Sequence, residues 1–194
     1  MKIKVILKRE LQSFFLTPTI YLLVGLFSAV QGLIFSFFLS VILKSGMASE
    51  HPLQFFFGGN MFFWIILLIM VPLITMKLFS EEYKTGTIET LMTAPVNDID
   101  IVIAKYLVAL IVYFVLWIPS LSFIIYMVTT NDIDIFPIVT GYVGVVMIGL
   151  SFSAIGLWAS SLSSNILISA FICFVALLVL VSIGMVNILV SDQV

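Results

Sequence analysis

From Ile135 to Ser191 the chain carries no Asp, Glu, Lys or Arg. One helix of that length would run about 85 Å, nearly three times a hydrocarbon core of about 30 Å, so the segment must fold back on itself. Its only polar cluster is Ser160-Ser161-Leu162-Ser163-Ser164-Asn165, which places the reversal there and predicts two membrane spans, over 136–159 and 166–190. Charged residues make up 9% of the sequence and hydrophobic ones 62%. A soluble domain carries about 25% charged residues, so this chain cannot build an ordinary solvated surface. It reads as an all-α integral membrane protein.

The same logic, that a charge at mid-bilayer costs about 2.5–3.5 kcal/mol on insertion scales, predicts three earlier spans. They run over 19–43, 60–78 and 101–128. Residues 1–18 precede them: Ile3, Leu7, Leu11 and Phe14 recur at helical spacing, Ile6 and Phe15 widen that face, and Lys2, Lys8, Arg9 and Gln12 lie largely opposite. That pattern describes an interfacial helix suited to anionic lipids. Glu10 sits at the edge of its apolar stripe, and Thr17-Pro18 ends it. With the N-terminus inside, Lys2, Lys4, Lys8, Arg9, Lys77, Lys84 and Lys105 fall on the cytoplasmic side and only Lys44 outside, the asymmetry that sets orientation. Phe55, Phe56, Phe57, Phe62, Phe63 and Trp64 are then expected in an outer aromatic belt, and the Asn131–Asp134 turn outside.

Between the second and third spans lies Glu81–Val96, E-E-Y-K-T-G-T-I-E-T-L-M-T-A-P-V, a loop with helical features. Gly86 interrupts the pattern continuing from the second span, Thr87 is placed to cap a new short helix, and Ile88, Leu91 and Met92 share one face. Pro95 stops it and restricts Ala94. Glu81, Glu82 and Glu89, with Asp98 and Asp100 beyond, outweigh Lys84, which disfavours lipid headgroups as its partner. A protein-docking helix and a plain re-entry turn both fit.

The run Phe79–Val96, with its F-x-E-E-x-x-x-G-T-x-E-x-L-x-x-x-P pattern, resembles the loop after the second span of ABC-2 type transporter permeases. Arg9-Glu10-Leu11-Gln12-Ser13-Phe14-Phe15 before Thr17-Pro18 is similar to the amphipathic N-terminal helix of that family. Within it, the chain is most similar to gliding-motility-associated and copper- or sodium-export-like permeases. The resemblance implies a single transmembrane domain over 1–194 that works with a separate ABC ATPase, which carries the ATP and Mg, and with a second permease copy or paralogue, in a bacterial inner membrane. It further implies that 81–96 is a coupling loop, in which Ile88, Leu91 and Met92 fill a groove on the ATPase while Glu81, Glu82 and Glu89 set the register around Gly86, Thr87 and Pro95. The family pattern has six spans and this sequence supports five, so a chain incomplete at its C-terminal end is expected.

Ser28, Gly32, Ser36 and Ser40 step by four along the first span, a small-residue ridge for close helix approach; Gly149–Ser153 and Gly156–Ser160 form a weaker version on the fourth. Gln31 and Asn187 are expected to hydrogen-bond between helices, Pro72 and Pro119 to kink spans two and three, and Lys77 and Glu81 to form at most a weak surface pair. Cys173 reads as a small packing residue and His51 as a solvated one. The chain has no phosphate-binding G-x-x-x-x-G-K-[ST] loop and no H-E-x-x-H, which argues against a membrane enzyme, and no basic patch with interleaved aromatics, which argues against nucleic acid. The remaining rival is a passive channel or membrane scaffold with no ATPase partner.

Overall fold

A computed structural model describes residues 2–45, 57–89, 97–130 and 135–191. Their elements are α1 (Lys2–Leu16), α2 (Pro18–Ser45), α3 (Met61–Thr75), α4 (Ser80–Thr85), α5 (Asp98–Trp117), α6 (Ser120–Thr130), α7 (Ile135–Ser161) and α8 (Ile166–Ser191). No strand occurs among the described residues. Five segments are long and apolar enough to cross a membrane: Pro18–Phe37, Met61–Thr85, Asp98–Tyr126, Ile135–Ser161 and Ile166–Met185.

Local chemistry explains most of the boundaries. Thr17 donates its hydroxyl to Phe14 O at 2.7 Å, and Pro18 opens α2, where its missing N–H costs nothing. The Asn60 side chain accepts Phe63 N at 2.8 Å and caps α3; Asn165 does the same for Leu167 N at 3.0 Å at the start of α8. Span three is interrupted at Ile118-Pro119, between α5 and α6. Pro72, by contrast, lies inside α3, and the second span is interrupted after it, at Met76–Phe79.

The core lies where α3, α5 and α7 meet, with α8 against α7 and α3, α1 chiefly along α5, and α2 on α5 and α6. Gly149 and Gly156 of α7 allow this close approach. A Cβ at Gly149 would collide with the Tyr113 ring, and one at Gly156 with Thr75. The same α5–α7 contact carries two side-chain hydrogen bonds, Tyr113 OH to Val145 O at 3.1 Å and Tyr106 OH to Leu150 O at 2.9 Å. The fourth-span ridge is therefore a deeply packed one, with Ser153 and Ser160 also buried.

On the first span the ridge residues are placed differently. Gly32 faces Phe123 of α6, whose Cζ would lie 3.2 Å from an added Cβ. Ser28, Ser36 and Ser40 turn their hydroxyls back to the carbonyls of Val24, Gly32 and Phe37 in their own helix, and Ser36 and Ser40 are exposed. Gln31 is buried, yet among the described residues its Nε2 has no hydrogen-bond partner, and neither has Trp117 Nε1; the expected interhelical bond of Gln31 is not formed by that nitrogen with any of them. The Asn187 side chain, His51, Phe55 and Phe56 lie outside what is described. Phe63 does not face outward with Phe62; it is buried against Trp117, ring centroids 5.9 Å apart.

Candidate functional site

The end of the bundle where Arg9, Glu10, Glu82 and Lys105 meet is built around the interruption of the second span. Nothing in Met76-Lys77-Leu78-Phe79 forbids a helix: the stretch has neither Gly nor Pro. The break is stable because side chains from other helices take up the backbone groups it frees, the condition under which helices break inside membranes. Ser160 of α7 accepts Phe79 N at 2.9 Å and Ser80 N at 3.3 Å, and its hydroxyl is 3.3 Å from Met76 O. Ser80 in turn donates to Ser160 O at 3.1 Å and meets the Ser169 hydroxyl of α8 at 2.6 Å. All three serines are fully buried.

The carbonyl of Leu78 accepts from the Lys105 ammonium of α5. Lys105 is 0% exposed. Its Nζ lies 3.0 Å from Glu82 Oε2, an ion pair without the alignment of a hydrogen bond, 3.8 Å from Glu10 Oε2, and 5.0 Å from the centre of the Phe79 ring. Arg9 bridges the same carboxylates from the exposed side, at 3.0 Å from Glu10 Oε1 and 3.6 Å from Glu82 Oε1. Two cations and two carboxylates thus neutralise each other across α1, α4 and α5. Burying Lys105 is tolerable only because these partners and a carbonyl surround it.

These contacts bear on the described part of the Glu81–Val96 loop. Glu82 is only 8% exposed and turned onto Lys105, so it is committed to the interior and does not stand beside Glu81 and Glu89, which are exposed. Gly86 ends α4 with φ +72°, the left-handed conformation that side chains with a Cβ resist. Thr87 already belongs to the helical turn Thr87–Glu89, so the residue between the two helical pieces is Gly86, and the Thr87 hydroxyl sits 2.9 Å from that of Thr85. Ile88 is half-buried. Leu91, Met92 and Pro95 lie outside the described residues. No Lys77–Glu81 ion pair forms among the described residues; that order of charges favours pairing least.

Sequence reasoning missed the Lys105–Glu82–Glu10–Arg9 cluster. Two signals pointed to it: a carboxylate at the apolar edge of α1, and a lone cation well inside an otherwise uncharged stretch of α5. Cys173 is buried, its sulfur 3.8 Å from the Thr75 hydroxyl. Among the described residues no group of His, Cys, Asp and Glu is placed to hold a metal ion.

Five apolar helices long enough to cross a membrane define a polytopic all-α membrane protein. The sequence profile of the ABC-2 type transporter family matches residues 1–192, and the chain belongs to that family. It is accordingly a membrane permease subunit of an ABC transporter. No curated protein and no solved structure matches it.

Proposed function

We propose that this permease moves its substrate across the cytoplasmic membrane of a bacterium, driven by a separate ATPase that docks on Glu81–Val96, with ATP and Mg bound on that partner chain. The observation that carries the reading is the position of the loop. It follows directly from a broken span whose freed backbone groups are held by α5 and α7, so a force applied to the loop reaches the packed centre of the bundle. In this reading Ile88, Leu91 and Met92 enter an apolar groove on the ATPase, and Glu81 and Glu89 form the charged rim. Gly86 sets the angle between α4 and the docking turn, and Pro95 ends it. Lys and Arg asymmetry supports an N-terminus inside, with the loop in the cytoplasm. Two permease chains, identical or paralogous, form the complete pathway, the ridge at Gly32 contributing to helix packing. Within the family, the Phe79–Val96 run supports a place near the gliding-motility-associated and copper- or sodium-export-like permeases.

The test is co-purification. The chain, expressed with a Walker-motif ATPase encoded beside it, is expected to retain that ATPase through solubilisation, and Leu91→Asp to lose it with normal membrane insertion, since an unpaired charge cannot be buried in the groove. A passive channel or scaffold would retain no ATPase in either form.

A further inference from the structure

The docking reading uses Lys105 only as the α5 hold on the Leu78 carbonyl; its contacts with carboxylates go further and join α1, α4 and α5 by charge. α1 is the interfacial helix, α4 leads into the docking loop, and α5 is the span that follows it. From α5, Lys105 reaches the other two at once, Glu10 of α1 at 3.8 Å and Glu82 of α4 at 3.0 Å, and also the Leu78 carbonyl at the break that precedes α4. Arg9 adds a second link between α1 and α4 through Glu82. α4 itself is short, six residues from Ser80 to Thr85, and flanked by the Met76–Phe79 break on one side and Gly86 on the other. Ser80 ties the start of α4 to Ser160 of α7 and Ser169 of α8, and the charge cluster ties Glu82, one turn before Gly86, to α1 and α5.

We infer that Lys105 is a positioning residue that locks α4 to α1 and α5, so that displacement of the docking loop moves the interfacial helix with it. The inference rests on the docking reading above. Glu82 therefore acts through the inside of the protein: it transmits, while Glu81 and Glu89 face outward. Arg9 and Glu10 make α1 part of the moving unit. A cluster that served stability alone would be replaceable by apolar side chains, because removing both partners of a buried ion pair is tolerated where removing one is not.

The experiment uses the permease–ATPase complex in lipid nanodiscs, with spin labels on cysteines at Ser13 of α1 and Thr85 of α4 in a Cys173→Ser background. In the otherwise unaltered chain the label separation should agree within about 2 Å, the size of an ordinary helix shift, between the nucleotide-free state and one with a non-hydrolysable ATP analogue. Lys105→Met alone should lower the yield of folded protein by leaving Glu82 and Glu10 without their buried cation. Lys105→Met with Glu82→Leu should restore the yield and keep the ATPase bound. In that double variant the label separation should change between nucleotide states by more than about 2 Å, and ATP hydrolysis should no longer respond to the permease. A double variant with unchanged separation and normal ATPase response overturns the inference, as does a separation in the unaltered chain that itself changes with nucleotide. Failure of any ATPase to bind the unaltered chain is a different result: it removes the docking reading and, with it, this one.

Discussion

The Ser160 hydroxyl accepts the backbone N–H of Phe79 at 2.9 Å, tying the fourth span to the point at which the second is broken. With Ser80 N on the same oxygen, one side chain satisfies two donors that have left the helical ladder. Ser160→Ala strands both in a buried site, where an unsatisfied donor costs about 1–3 kcal/mol. Thermal unfolding of the solubilised protein should show a clear drop for Ser160→Ala and none for Ser161→Ala, whose exposed hydroxyl only turns back to Trp158 O.

At Gly149 α7 lies directly against the Tyr113 ring of α5. Adding a Cβ there drives it into the Tyr113 ring, and overpacking of this kind costs about 1–3 kcal/mol. Gly144, on the same helix, has open space around its would-be Cβ. Gly149→Ala should therefore lower the unfolding temperature, whereas Gly144→Ala should leave it unchanged or raise it slightly, Ala being the better helix former.

The first-span ridge divides at Gly32. Gly32→Leu must displace the Phe123 ring of α6 and should weaken the packing of α2 on α6, read as a lower unfolding temperature. Ser36→Leu places an apolar side chain on an exposed face and should change stability by no more than about 0.5 kcal/mol. Equal effects of the two substitutions would mean that Gly32 is not a contact position.

Orientation is open to thiol labelling. In a Cys173→Ser background, a cysteine replacing Gly59, which is exposed just before α3, should react with an impermeant reagent applied outside intact cells, and one at Thr85 should not. Labelling at Thr85 from outside would reverse the orientation and put the docking loop out of reach of a cytoplasmic ATPase.

The five spans and the amphipathic α1 were legible because hydrocarbon imposes a length and a composition that each segment must satisfy on its own. The reversal at Ser160–Asn165 was legible too, although the cluster proved to hold two kinds of residue. Asn165 caps α8, while Ser160 faces inward to hold the break in α3–α4. That second role has no local signature, since nothing near Ser160 names Phe79 as its partner. Lys105 and Glu10 each stand out locally, but neither names the other. Counted among inner-end cations, Lys105 reads as a topology signal; only the packing of α1 along α5 brings Glu10 to it and reveals a buried pair. Glu82 was grouped with Glu81 because they are neighbours in sequence, but successive residues on a helix point about 100° apart, and one of them had to face the bundle. The packed ridge on α7 was ranked below that on α2 for a similar reason: spacing shows that a helix can be approached closely and does not show which neighbour does so.

The claim on which the account depends is that an ATPase sits on the turn after Gly86. A photo-activatable amino acid incorporated at Ile88, in membranes containing the neighbouring Walker-motif ATPase, measures this most directly, with Phe114 on the outer face of α5 as the comparison. The account predicts an ultraviolet-dependent product containing both chains from Ile88 and none from Phe114. Absence of any ATPase-containing product from Ile88, in membranes where both proteins are present, would contradict it.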